Sequence, residues 1–429
     1  SFGGAVTFTA LQQILTDRFI DSRANKTFHC DKCHTGFGFV DQNFDFNDPT
    51  RIDCLACHDN SGTYLRTSYG RPADSVDLNE VATHVGRPTR DNCGTCHFFG
   101  GGGNNTKHGD LEKAMFDPPR EVDVHLAADG ANIECVDCHK AKNHQLLGKV
   151  YSIASMDTQR STCTQCHGET PHDRNRVLNE HTLKVACQTC HIPRYAKVNK
   201  TNTYWDWSEA GKFRDGKPYV EVDEQDNHLY MSIKGSFVWE SNLTPEYIFF
   251  NGTAGHYLLG DKVEGDGPVK LNTLYGSYDD PESKIIPVKV HRAKQLFDPV
   301  TRMLIQPKLV GKEKGEGAYW KDFDWDRAAR IGMEAVGLPY SGEYSFIETE
   351  MTWPINHMVS PADEAVTCVE CHTRDGSRLA GLEGFYMPGR DRSETVERIG
   401  RLALLIALAG VLLHGGVRFV AHQIGKGAV

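Results

Sequence analysis

From Cys163 to His191 the chain reads CTQCHGETPHDRNRVLNEHTLKVACQTCH, two copies of C-x-x-C-H enclosing two further histidines, His172 and His181. The spacing carries a specific chemistry. Two thiols one helical turn apart reach the two vinyl groups of one haem, and the imidazole that follows meets the iron from the same side. The pattern recurs until it has used all fourteen cysteines of the 429-residue chain. The pairs are Cys30/Cys33, Cys54/Cys57, Cys93/Cys96, Cys135/Cys138, Cys163/Cys166, Cys187/Cys190 and Cys368/Cys371. Each is followed at once by a histidine: His34, His58, His97, His139, His167, His191 and His372. A zinc site would use C-x-x-C pairs but has no need of a histidine after every one. Disulfides would explain an even count but not the spacing. The expected cofactors are seven covalently bound haem c groups.

Thioether attachment takes place outside the cytoplasmic membrane, so the expected location is the periplasmic side. Ser1 to Leu15 lacks the basic start and apolar run of a secretory signal, and the chain is read as mature or trimmed. The formal net charge is −10 before any haem propionate is added. That balance argues against nucleic acid as a partner and fits docking to a basic redox protein.

Residues 1–191 hold six motifs, crowded between Cys30 and His191 at roughly one per 27 residues, which leaves room only for short helices and loops around closely spaced haems. Residues 192–367 form a cysteine-free stretch that carries all six tryptophans and mixes short β-like alternation with turn residues. It reads as a lobe covering the haem array, with a helix around DWDRAARIGMEAVGL and with tryptophans that serve packing. Residues 368–392 hold the seventh motif and a linker. In residues 393–429 the run LALLIALAGVLLHGGVRFVA, Leu402 to Ala421, is long enough to span a bilayer, with Ser393, Glu394 and Glu397 marking a helix start. A single-pass C-terminal anchor is expected, holding the haem domain on the periplasmic side of the inner membrane. Arg390, Arg392, Arg398 and Arg401 at its outer end run against the positive-inside tendency, and the demand for haem attachment outside overrides that count. His414 within the span is a candidate for a partner's haem b, for a quinone, or for a packing hydrogen bond. The expected fold class is a mainly α and irregular multihaem cytochrome with minor β, plus one C-terminal transmembrane helix.

An iron with histidine on both faces carries electrons and binds nothing further. The strongest candidates for the second face are His108, His125, His144, His172 and His181, followed by His357. The segment Cys93–Leu111, CGTCHFFGGGGNNTKHGDL, stands apart: four glycines let backbone pass close to a flat cofactor, and Lys107 precedes His108. It lacks the Gly-Lys-Ser/Thr ending of a phosphate loop. Composition alone makes Lys107 a solvated lysine, since a lysine ligand must first lose its proton.

Several separated stretches carry a resemblance to a known family: FDFNDPTRIDCLACHDNSGTY, NCGTCHFFGGGGNNTKHGDL, KNHQLLGKVYS, KVACQTCHIP, WDWSEAGK, FNGTAGHYLLGDK, GLPYSGEYSFIETEM and WPINHMV. From about Phe28 to Arg390 the chain resembles the octahaem tetrathionate reductase family. The resemblance implies bis-histidine haems around one exceptional haem, whose iron carries a lysine from elsewhere in the chain and is the reaction site. That lysine falls on Lys107, and the haem it serves on Cys30, Cys33 and His34, so Lys107 and His34 are the implied catalytic pair. The haem on Cys93 and Cys96 is the alternative. This chain departs from the family in two respects. No motif precedes Cys30, so an eighth haem was either trimmed away with an upstream segment or lost, and the anchor is absent from the soluble reductases. Two functions follow as expectations. One is a terminal reductase of tetrathionate, or of small nitrogen oxides such as nitrite and hydroxylamine, with the buried cation drawing in an anionic substrate. The other is a non-catalytic conduit linking a quinone-reactive cytochrome b type of subunit to another redox protein.

Overall fold

Each described C-x-x-C-H motif winds into a single short helix: Leu55–His58, Arg90–His97, Cys135–Cys138, Thr164–His167, Cys187–His191 and Cys368–Cys371. The computed structural model describes residues 36, 45, 48–67, 70–148, 160–173 and 175–426. The motif at Cys30, Cys33 and His34 lies outside the described residues.

Helices this short cannot hold themselves together, because nucleation fixes several dihedrals for each hydrogen bond gained. Local caps supply part of what propagation would give. Asp137, inside its own motif, accepts the backbone N–H of Glu134 at 2.8 Å, and Glu370 does the same for Thr367 at 2.8 Å. Asn92 closes the equivalent box on Thr89 at 2.8 Å. Buried ion pairs and backbone contacts tie the turns to one another. Arg66 meets Asp53 at 2.9 Å with both side chains buried, and Tyr64 donates to the same carboxylate at 2.8 Å. The buried Arg90 guanidinium reaches the carbonyls of Phe116 and Ile133, both at 3.2 Å.

The cysteine-free stretch builds a nine-stranded mixed sheet. In chain order its strands are β1 Thr201–Asp206, β2 Val220–Val222, β3 His228–Met231, β4 Gly235–Glu240, β5 Glu246–Phe250, β6 Val269–Lys270, β7 Lys284–Asp298, β8 Met303–Leu304 and β9 Ser345–Pro354. The main path runs β6-β9-β7-β1-β4-β3-β2, with β5 and β8 also paired to β7. The fifteen-residue β7 is the spine. It pairs antiparallel with β9 from Val288↔Pro354 to Phe297↔Ser345, and parallel with β1 through Ala293↔Trp205. This is more strand than the expected minor β, and the expectation is corrected accordingly. The reason is visible in β7, where residues on both faces are buried, so no clean alternation marks it as a strand.

The expected helix forms at Trp325–Ala335, capped by Asp324, which accepts the Arg327 N–H at 3.0 Å. Its inner face joins Leu296, Ile305 and Tyr319 in a core where the Trp325 and Tyr319 rings stack with centroids 3.4 Å apart. Trp205 and Trp207 stack at 4.6 Å, and Trp207 meets Trp325 edge-on, so these three tryptophans pack the lobe.

The chain divides into two compact units, Ser1–Val366 and Thr367–Val429. In the second, the His372 Nδ1 lies 2.7 Å from the Pro388 carbonyl, and the Arg390 guanidinium donates to the carbonyls of Leu379 and Leu382. A helix at Glu394–Lys426 follows. Its segment Glu394–Ile424 is long and apolar enough to cross a membrane, and its 31 residues extend about 46 Å against a hydrocarbon core of about 30 Å. Glu397 pairs with two of the arginines that opposed the orientation, Arg392 at 2.9 Å and Arg401 at 3.0 Å, and with Arg374 at 2.7 Å, while Arg390 pairs with Asp391 and Arg398 with Glu394.

Met333 is fully buried in the lobe core. Met333→Ala is expected to destabilise the lobe by about 2–5 kcal/mol, because it opens a cavity between the helix and the sheet. A lowered unfolding midpoint in circular dichroism is the check.

Candidate haem sites

Among the described residues of the first unit, four motif histidines are set against a histidine from elsewhere in the chain. The pairs and their ring-centroid separations are His58–His144 at 6.2 Å, His167–His125 at 6.0 Å, His139–His357 at 6.2 Å and His191–His172 at 6.2 Å. The nearly parallel rings, at 14° and 30°, are too far apart to touch face to face. The separation is instead that of two imidazoles on opposite sides of one metal ion. Metal–nitrogen bonds of about 2 Å on each side, with roughly 1 Å more to each ring centre, place the centroids about 6 Å apart. The donor set therefore fits a six-coordinate haem iron at each position.

The ring orientations are held from behind. His58 Nδ1 lies 2.8 Å from the Gly86 carbonyl, and His139 Nδ1 lies 3.0 Å from that of Leu147. A carbonyl only accepts, so Nδ1 carries the proton and Nε2 keeps its lone pair for a metal. Gly148 makes the second contact feasible: it sits at φ +94°, and a Cβ there would come within 2.2 Å of His139 Nδ1. His357 is held differently, by the buried Asp110 carboxylate at 3.1 Å. The same carboxylate oxygen accepts the backbone N–H of Asn356 at 2.8 Å and of His357 at 3.0 Å. Burial opposes ionisation of Asp110, but these hydrogen bonds hold its carboxyl below the usual range. A carboxylate behind the ring makes His357 a stronger donor than its carbonyl-backed counterparts.

A cavity of about 3900 Å³ is lined by the motifs from Cys93, Cys135, Cys163 and Cys187 and by His125, His144, His172 and His357. Single-ligand pockets span about 300–1,000 Å³, so this space suits several large cofactors in contact. Both cysteines of the first three of these motifs line it: Cys93 and Cys96, Cys135 and Cys138, Cys163 and Cys166. The fourth motif departs from that expectation. Cys187 and His191 line the cavity, but Cys190, the expected second attachment point of the same haem, does not. The backbone at Cys190 is engaged on another side, where its carbonyl accepts the Val366 N–H at 2.9 Å and ties this helix to the segment leading into the seventh motif. Haem attachment at Cys190 therefore rests on its place in the motif, one helical turn from Cys187, and not on the cavity wall. Cys54, Cys57 and His58 also stand apart from this lining, and Cys368, Cys371 and His372 belong to the second unit.

The motifs also touch one another: the Cys93 thiol is within hydrogen-bond reach of Cys135, and Cys163 of Cys187. Among the described residues no disulfide joins the cysteines. Among the described residues no group of three or more His, Cys, Asp or Glu converges on one point.

Of the six expected second-face histidines, His125, His144, His172 and His357 are those in the four pairs. His181 ends the helix Arg176–His181 with its Nδ1 2.7 Å from the Val177 carbonyl. The His108 ring packs edge-on against Trp353 at 5.0 Å, and burial pushes its pKa down to about 3. Lys107 is half-buried beside it, with its ammonium 4.5 Å from the centre of the Trp353 ring. Burial lowers the Lys107 pKa, so this lysine is not the solvated one that composition suggests. Sequence reasoning missed Asp110 and Trp353. Asp110 stands three residues after Lys107, but nothing in its surroundings marks it as the support of a histidine so distant in the chain.

A family model described as bacterial cytochrome c matches residues 202–375, and one described as cytochrome c7 and related cytochrome c matches residues 120–192. The crystal structure of octaheme cytochrome c from Shewanella oneidensis is similar at 42% identity with a TM-score of 0.73, over 84% of this chain and 82% of that one. An uncharacterised protein of Archaeoglobus fulgidus is 30% identical over 150 residues, 30% of this chain and 48% of that protein. The chain thus spans about half the length of this curated relative.

The ring planes of the four pairs fall into two classes, 14° and 30° against 68° and 75°. Near-parallel imidazoles split the iron d orbitals rhombically, and near-perpendicular ones leave two of them almost degenerate. Electron paramagnetic resonance of the ferric holoprotein is expected to resolve both low-spin types. Replacing His125 or His144 by Ala should remove only signal of the highly anisotropic type.

Proposed function

This chain belongs to the multihaem c-type cytochromes, and we propose that it is a membrane-anchored reductase receiving electrons on the periplasmic side and delivering them to a lysine-marked reaction site. Covalently attached haem c supplies one-electron redox chemistry, and it supplies a substrate site only where the sixth ligand can be exchanged. The observation that carries the reading is the contrast between the four imidazole pairs and the turn at Lys107. Each pair offers iron two strong nitrogen donors and so makes a conductor. Lys107 offers an amine already biased by burial toward losing its proton, on a turn that follows four consecutive glycines, Gly100 to Gly103. In this reading its partner across the iron is His34, with seven haems in all.

The chain's residues divide the work. His144, His125, His357 and His172 close the second face of their irons and keep substrate away. Lys107 would be the residue holding the exceptional haem, and with a proton taken up it would present a cation to an incoming anion, while the Trp353 ring lies under its amine and His108 packs on the same ring. Tetrathionate fits this chemistry: two electrons break its central sulfur–sulfur bond and release two thiosulfates. Nitrite and hydroxylamine fit the same small, electron-accepting class.

A second reading rests on the exposed apolar helix Glu394–Ile424. With His414 at membrane depth, it suits a subunit that carries electrons between a quinone-reactive cytochrome b and another redox protein without a substrate of its own.

Purified full-length protein in mild detergent, given a reduced viologen donor, separates the two. The reductase reading expects consumption of tetrathionate, nitrite or hydroxylamine. It also expects Lys107→Ala to change turnover by about 10²-fold or more, as removal of a charge-stabilising group does, with the donor still reducing the other haems at the wild-type rate. No consumption of any of the three overturns the reductase in favour of the conduit, which expects a cytochrome b to co-purify.

A further inference from the structure

The turn that bears Lys107 is held by a second lysine, from a distant part of the chain. Lys289 lies on the sheet spine β7 and is completely buried. Its ammonium donates to three oxygens: the Thr106 carbonyl at 3.0 Å, the Lys107 carbonyl at 3.1 Å and Thr201 Oγ1 at 2.6 Å. The Thr201 hydroxyl, on the neighbouring strand β1, donates its own proton to the Asn105 carbonyl at 2.5 Å. Three successive carbonyls, Asn105 to Lys107, are thus gripped from one side by two strands of the lobe.

Burying an ammonium costs several kcal/mol unless its protons are satisfied. A Met or Leu would fill the same space without that cost, so the lysine is retained for what its three hydrogen bonds do. They reach backbone and a hydroxyl rather than a counter-charge, so they fix the path of the turn. Gly109 shows how tight that path is: it sits at φ +88°, and a Cβ there would lie 2.7 Å from the Tyr195 ring and 3.1 Å from Lys289 Cδ. On the far side of the turn Asp110 grips His357 and the N–H groups beside it. Lys107 therefore projects from a segment fastened at both ends, by Lys289 and Thr201 on one side and by Asp110 on the other.

We propose that Lys289, with Thr201, is a positioning residue that aims Lys107 at its iron. The inference rests on the reading of Lys107 as the sixth ligand. It assigns to the cysteine-free lobe a part in setting the reaction site. These hydrogen bonds are directional, so their loss lets the turn relax and weakens the reach of Lys107 without touching the imidazole pairs.

The change in carbon monoxide binding between variant and wild-type dithionite-reduced holoprotein reads out the exceptional iron, because the four imidazole-paired irons would not bind it and the substitutions leave the other motifs untouched. Lys107→Ala should create a carbon-monoxide-binding haem. Lys289→Met, which removes two hydrogen bonds to the turn and one to Thr201, should raise the carbon-monoxide-binding fraction about tenfold or more over wild type, since a single hydrogen bond is already worth up to about that factor. The low-spin signals of the four imidazole pairs should stay unchanged. Thr201→Val should shift the fraction the same way by less, and Thr201→Ser, which keeps the hydroxyl, should match wild type. If Lys289→Met does not mature, the Val and Ser variants at position 201 decide alone. Wild-type carbon monoxide binding in Lys289→Met and Thr201→Val, alongside a gain in Lys107→Ala, overturns the positioning role. No gain in Lys107→Ala overturns the reading of Lys107 itself.

Discussion

Two imidazoles must face one another across about 6 Å, and the first unit is organised around meeting that demand four times. Neither ring of a pair can supply the geometry alone. One belongs to a short helix fixed by its cysteine motif, and the other comes from a turn or loop elsewhere in the chain. His357 meets His139 from more than two hundred residues away. The backbone then serves the rings: carbonyls at Gly86 and Leu147 and the carboxylate of Asp110 hold Nδ1, so that Nε2 points where the metal belongs. Short capped helices and polar staples such as Arg66–Asp53 replace the layered packing that a domain of this size would otherwise use.

Sequence revealed the chemistry of this arrangement more fully than its geometry. The attachment points were legible because the cofactor dictates both spacing and residue type. Spacing does not say which cysteine of a pair borders the shared cavity, and Cys190 is the one that does not. Four of the second-face histidines could be named as candidates because they stand near the motifs in the chain. Which ring meets which could not be read, since pairing is a property of the tertiary fold. His167 takes His125 from upstream, whereas His191 takes His172 from between the two motifs. The sheet was underestimated for a related reason. Strands buried on both faces lose their alternation, and several of the others are only two or three residues long. Lys289 was beyond reach altogether, since a lysine in PVKVHRAK reads as one more exposed strand residue until the fold buries it.

The lobe and the haem-bearing segment are physically interdependent. Phe98, Met115 and Val122 from the motif-rich part share a core with Ile192, Tyr195, Ile355 and Met358. Glu112, fully buried, accepts the N–H groups of Val198 and Asn199 at 3.2 Å and 2.7 Å. Such contacts place the unusual Gly-rich turn and its lysine on a rigid support. The imidazole pairs rely more on local hydrogen bonds.

The uneven distribution of side-chain core also gives the first unit two kinds of interior. Around Tyr319, Trp325 and Met333 the lobe has an apolar interior made of its own residues, and it can collapse as soon as its strands are available. The motif-rich part gains most of its interior only as cofactor is ligated to each C-x-x-C-H in turn. A chain without its cofactors therefore keeps the side-chain contacts of the lobe and lacks those that would fill the cavity of about 3900 Å³.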